Sequence, residues 1–195
     1  MEERDKNKES EDNYKMIPIK EDLISVGKNR PAFLLRPQKI IIHRTGNSGA
    51  SAKNNRDYFE SLNHPPLAGK TFASAHYLVD ATNIIRCIPE NEQAYHCVGA
   101  NRDAIGIETC EPITKEIYQN VLDLIVDIIL RYKFKPTPDY LQPHSRYDPL
   151  NRPFDPFCWI DFSNGKTNPK NDLFDPNAFY ADVKSQFIRQ GEKLS

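Results

Sequence analysis

The sequence has no surplus of either charge, no long apolar run, no closely paired cysteines and no internal repeat. Over 195 residues, 26 Lys and Arg face 27 Asp and Glu, a formal net charge of −1. Proteins that bind nucleic acid draw affinity from a basic surplus or stripe that meets the phosphates; this chain has neither, so no nucleic-acid partner is expected. A membrane-spanning helix needs about 20 apolar residues. The longest candidate, residues 121–130, is broken by Asp123 and Asp127, so no membrane partner is expected. The opening stretch, Met1-Glu-Glu-Arg-Asp-Lys-Asn-Lys-Glu-Ser10, lacks the apolar centre of a signal peptide, which points to synthesis in the cytoplasm. Cys87, Cys97, Cys110 and Cys158 form no Cys-x-x-Cys pair, which argues against a zinc site built from four thiolates. Reduced thiols follow from the absent signal. Cys87, Cys97 and Cys110 lie on or beside apolar strand positions and read as buried thiols.

What is present is one domain's worth of chain with a charged tail. Residues 1–15 carry almost no bulky aliphatics, cannot offset their ordering entropy by burial, and read as a disordered tail. Residues 38–43 contain Ile40-Ile41-Ile42, a β-branched run suited to a buried central strand. Ser51 can cap a helix that runs to about Leu62, and His64-Pro65-Pro66 marks its terminus. Residues 73–80 and 83–88 read as two strands joined by Ala81-Thr82, and residues 105–110 as a third. From Thr114 to Tyr132, Ile117, Val121, Leu124, Ile125 and Ile128 recur at helical spacing and mark a core-facing stripe. Residues 135–161 are rich in proline and loop-forming residues, and Asp175-Pro176 opens a last helix ending near Gln190. Strands interleaved with helices indicate an α/β or α+β class with a single sheet, and the expectation taken forward is α/β, a single mixed β-sheet flanked by helices.

Five residues stand out for chemistry. His43 ends the predicted central strand, and His144 sits in the long irregular segment, where compact domains place sites. Asp155, before Pro156, and Cys158 follow His144 closely. Two histidines and one anionic ligand leave a fourth tetrahedral position open, the arrangement of catalytic zinc. Glu108 lies on an otherwise apolar strand, where a carboxylate needs either a partner or a task. It reads equally as a general base beside a metal or as a strand-edge residue facing solvent.

Several stretches, taken in order, carry a resemblance: Lys39-Ile-Ile-Ile-His-Arg-Thr-Gly-Asn47, Ser74-Ala-His-Tyr-Leu-Val-Asp80, Ile85-Arg-Cys-Ile-Pro-Glu-Asn91, Ala94-Tyr-His-Cys-Val-Gly99, Asn101 with Ile105-Gly-Ile-Glu108, and Pro143-His144. Across residues 17–158 the chain resembles the zinc-dependent N-acetylmuramoyl-L-alanine amidases of the type-2 family, which includes phage endolysins and peptidoglycan recognition proteins. The resemblance implies a type-2 amidase fold over residues 16–195 and Zn2+ as cofactor. It implies His43 and His144 as zinc ligands and Glu108 as the residue that activates water. The third ligand in the family is Asp or Cys. Asp155 precedes a proline as in the Asp branch and is preferred; Cys158, followed by Trp159, is the alternative. The family's oxyanion-stabilising lysine, two residues before the third ligand, is replaced here by Pro153, and Arg152 is the nearest cation. His96 and His76 fall on family-like stretches, and both are candidates for substrate binding; His76 also reads as a structural residue within its strand. The implied substrate is peptidoglycan or a muropeptide, cut by a monomer that reaches the cell wall after lysis or by a non-classical route. Two alternatives stay open: a cytoplasmic enzyme acting on recycled anhydro-muropeptides, and a non-catalytic binding module of the same fold.

Overall fold

The isoleucine run forms the expected buried strand, β2 (Lys39–Arg44), in which Ile40, Ile41, Ile42 and His43 are all buried. The computed structural model describes residues 16–153, 155–156 and 176–190. The charged tail and Cys158 lie outside the described residues. The other elements are β1 (Ile19–Glu21), α1 (Ala52–Ser61), β3 (Tyr77–Val79), β4 (Ile84–Arg86), β5 (Ala104–Thr109), α2 (Lys115–Tyr132), β6 (Leu141–Pro143), a single 3-10 turn (His144–Arg146) and α3 (Pro176–Arg189).

The six strands form one sheet in the order β1-β4-β3-β5-β2-β6. It is mixed: β3 and β4 pair antiparallel, and every other neighbouring pair is parallel. Side chains alternate across a strand, so each face has its own membership. Ile40, Ile42, Tyr77, Val79, Ile105 and Ile107 pack on α2, with Phe179, Val183 and Phe187 of α3 in the same cluster. On the other face, Leu78 and Ile85 meet Ala52 and Phe59 of α1. Ile41 meets Cys97 and Ala100 there. His43, two positions from Ile41, therefore projects on the α1 side. It is register partner to Glu108 of β5.

Local chemistry sets the helix ends. Ser51 and Asn54 close a reciprocal capping box at the start of α1. The Thr114 side chain accepts from the Ile117 N–H at the start of α2, and Lys133 ends that helix in the left-handed conformation, φ 56°. α3 begins at Pro176, as its sequence suggests, and the Tyr180 hydroxyl donates to Leu141 O of β6. Among the described residues, no helix is long and apolar enough to cross a membrane.

Two expected strands are shorter than the sequence indicates. Over residues 73–80 only Tyr77–Val79 is strand, and over residues 83–88 only Ile84–Arg86. The Asp80 carboxylate accepts the backbone N–H groups of Thr82 and Asn83 and pins the turn between them. At the other end, Ser74 N–H donates to Tyr95 O, a loop residue, so the ladder stops there. β1 and β6 were not expected as strands; three residues are too few to show alternation.

Candidate metal centre

Three neighbouring parallel strands, β5, β2 and β6, deliver the site at their C-terminal ends. His43 comes from β2, Glu108 from β5, and His144 opens the turn that follows β6. Asp155 arrives from the irregular segment. Ser145 N–H donates to its backbone carbonyl, at 2.9 Å. Its Oδ1 accepts the Arg44 N–H at 2.8 Å. The carboxylate is thus fastened to the end of the strand that carries His43.

His43, His144 and Asp155 each offer one ligand atom, and these atoms lie within 4.8 Å of one another, all on buried side chains. The His43 and His144 Nδ1 atoms are 3.0 Å apart. His144 Nδ1 is 3.1 Å from Asp155 Oδ2. A tetrahedral zinc ion with bonds near 2.0–2.1 Å spaces its ligand atoms about 3.3 Å apart, so the donor set fits such an ion by type and by spacing. Burial, reinforced by the neighbouring imidazoles, holds His43 well below the ordinary histidine value. The neutral ring is the form that binds metal.

Glu108 is not at a sheet edge: β5 lies between β3 and β2. The residue is partly buried, and its Oε2 is shielded with no hydrogen-bond partner among the described residues. Burial, with the Asp155 charge adding to it, pushes its pKa well above the usual carboxylate range. A shielded, unpartnered carboxyl facing a cleft is equipped to accept a proton. Glu108, His96, His144 and Arg152 line one groove of about 490 Å³, together with Phe72, Tyr95, Val98 and Tyr147. Phe72 and Tyr95 meet edge to face, ring centroids 5.3 Å apart. The Arg152 side chain is 54% exposed, with Nη1 3.6 Å from Asp155 Oδ2.

His96 and His76 are placed differently from one another. His96 borders the groove, yet its Nδ1 is 2.9 Å from His43 Nε2. His76 has no exposed surface. Its Nδ1 accepts the Gly106 N–H and its Nε2 donates to Glu92 O, so both ring nitrogens are occupied by backbone and none is left for a substrate. Burial lowers the His76 pKa to about 4. Cys87, Cys97 and Cys110 are free and buried, and burial pushes the Cys97 and Cys110 thiols up to about 12. The contacts of Asp155 with the Arg44 backbone, and the Phe72–Tyr95 pair, had no sequence signal.

The His76 geometry sets a pH dependence. The unfolded chain takes up a proton near pH 6.5, whereas folded His76 resists until about 4. Its contribution is complete above 6.5 and is lost as pH falls toward 4, at about 1.4 kcal/mol per pH unit. His76→Gln is expected to flatten the stability profile over that window, read from urea unfolding of the metal-free chain at a series of pH values. An unchanged slope would show that His76 is not held neutral.

Fold and site together define a single-sheet α/β domain with a His–His–carboxylate cluster at the C-terminal ends of adjacent parallel strands. A family model described as N-acetylmuramoyl-L-alanine amidase matches residues 34–157. The chain belongs to this family, the type-2 amidases. It is 36% identical over 136 residues to the N-acetylmuramoyl-L-alanine amidase CwlL of Bacillus licheniformis, covering 60% of this chain and 37% of the relative. Against the amidase XlyA of Bacillus subtilis (strain 168) it is 38% identical over 103 residues, covering 49% of this chain and 32% of XlyA. The chain thus spans about a third of the length of these curated relatives. The solved catalytic domain of XlyA matches with a TM-score of 0.65 at 25% identity, covering 86% of this chain and 99% of that domain. A mutant endolysin from Bacillus subtilis shares the fold, with a TM-score of 0.65 at 24% identity, covering 86% and 99%.

Proposed function

We propose that this chain is a zinc-dependent hydrolase that cleaves the amide between the lactyl group of N-acetylmuramic acid and the L-alanine of the peptidoglycan stem peptide. The observation that carries the reading is the convergence of His43, His144 and Asp155 within 4.8 Å, beside a groove that also presents Glu108. Family membership and the relatives' names support the choice of bond.

His43, His144 and Asp155 would hold the zinc ion. When bound, zinc supplies Lewis acidity, polarising an amide carbonyl and acidifying water toward a pKa of about 7. Glu108 takes the proton of the attacking water and returns it to the nitrogen of the departing L-alanine. Arg152, at the groove's rim, faces the negative charge that develops on the former carbonyl oxygen; its planar guanidinium takes the place of the family's ammonium. The aromatic pair Phe72–Tyr95 offers an apolar surface to the substrate. Residues 16–195 serve as the catalytic domain of a monomer that acts on the cell wall after release by lysis or by a non-classical route.

Digestion of purified peptidoglycan, followed by mass spectrometry, tests the reading. The expected products are stem peptides with a free L-alanine amine and glycan strands of unchanged length. Shortened glycans with peptides still attached would overturn the bond assignment. Cleavage confined to soluble anhydro-muropeptides would place the enzyme in recycling instead of on the wall.

A further inference from the structure

We propose that His96 is a positioning residue for the metal centre: it fixes the tautomer and ring plane of His43 so that the bare Nδ1 of His43 faces His144 and Asp155. This rests on the zinc-ligand reading given above, and it assigns His96 a role other than contact with substrate.

The chain of hydrogen bonds starts at the backbone. His96 Nε2 lies 3.2 Å from Ala104 O, a carbonyl that can only accept, so this nitrogen carries the proton. His96 Nδ1 is then a lone-pair acceptor. It sits 2.9 Å from His43 Nε2, which must therefore be the donor. A neutral imidazole carries one proton, so His43 Nδ1 is bare. That is the nitrogen 3.0 Å from His144 Nδ1, inside the ligand cluster. The His43 and His96 rings meet edge to face at 82°, which sets the plane of His43 as well as its protonation.

His96 is itself held in a built seat. Its backbone N–H donates to Asn101 Oδ1 at 3.0 Å. Its ring lies directly on Gly106: a Cβ at that position would fall 2.5 Å from His96 Cγ and 2.7 Å from Nδ1. Glycine inside a strand commonly marks such a close approach. Gly106 is pinned in turn by His76, whose Nδ1 accepts its N–H at 2.9 Å. The two histidines thus act in series: His76 holds Gly106 in place, and Gly106 makes room for His96. Outer partners of this kind set the tautomer of ligating histidines, and their loss costs roughly 10- to 100-fold in metal affinity.

The test uses the full chain. His96→Leu and His96→Asn have the same branched shape, but only Asn places an acceptor, Oδ1, where Nδ1 stood. Zinc affinity, measured by competition with a chelator, is expected to fall roughly 10- to 100-fold in His96→Leu and to recover in His96→Asn. Gly106→Ala, which drives His96 from its seat, is expected to weaken zinc similarly with all three ligands intact. Nitrogen-15 NMR of the metal-free wild type, which requires no variant to fold, is expected to show His43 protonated at Nε2 and bare at Nδ1. A His43 protonated at Nδ1, or His96→Leu binding zinc as tightly as wild type, overturns the positioning role and leaves the metal-centre reading standing. A wild type that binds no zinc removes the metal-centre reading, and the positioning role falls with it.

Discussion

Asp155→Ala is expected to release zinc and abolish amide hydrolysis, whereas Cys158→Ser keeps both. Asp155 is 2% exposed and serves two groups at once. Its Oδ1 holds the Arg44 N–H, and its Oδ2 stands 3.1 Å from His144 Nδ1. Truncation deletes the anionic member of the cluster among the described residues and removes the carboxylate that accepts the Arg44 N–H. The affinity loss should exceed the roughly 100-fold effect of losing an outer partner, because a ligand atom itself is gone. Loss of that charge-assisted hydrogen bond adds a stability cost of about 1–3 kcal/mol. Asp155→Asn separates the two effects: its Oδ1 still accepts from Arg44, so the fold should be preserved while the anionic ligand is lost. Zinc per chain by elemental analysis, with urea midpoints for stability, checks both. Full zinc occupancy in Asp155→Ala, with loss in Cys158→Ser, would move the third ligand to the cysteine.

Glu108→Gln is expected to keep zinc and to lose roughly 10²- to 10⁴-fold in rate, the usual contribution of a positioned acid–base group. The amide matches the carboxylate in shape but cannot accept and return a proton. Burial holds the Glu108 carboxyl protonated well above the ordinary range. The basic form is the active one and appears as pH rises through that raised pKa. In the wild type kcat/KM should therefore climb with pH, and Glu108→Gln should lose that limb. A variant that cleaved at the wild-type rate would require another base. Loss of zinc in the variant would instead make Glu108 a ligand.

The parts of this fold legible in the sequence are those with long periods or strong punctuation. The isoleucine run located β2, and the stripe from Ile117 to Ile128 with its Thr114 cap located α2 within a residue. Ser51 likewise placed the start of α1. β1 and β6 were illegible because a three-residue strand has no periodicity, and because β6 is held in place by β2 and α3, distant in sequence. The residues of the candidate site could be nominated because strand ends and irregular segments are where chemistry is placed, and because a resemblance joined them. How they are held could not be read. That Asp155 hangs from the Arg44 backbone, or that His96 rests on Gly106, depends on loops whose path carries no repeating pattern. One signal was present in the sequence: a lone glycine within an apolar strand, Gly106, indicates that something approaches the backbone closely there.

The strand order has a kinetic consequence. His43 and His144 are 101 positions apart, and Arg44 and Asp155 are 111 apart, yet β2 and β6 are immediate neighbours. Long-range parallel pairing is slow, since loop closure must be met before the contacts that reward it. The donor atoms therefore gather only after the last strand has docked, and an early folding species has no site to offer an ion. Zinc held there would leave the refolding rate unchanged and slow unfolding, lengthening the life of the native chain without hastening its birth.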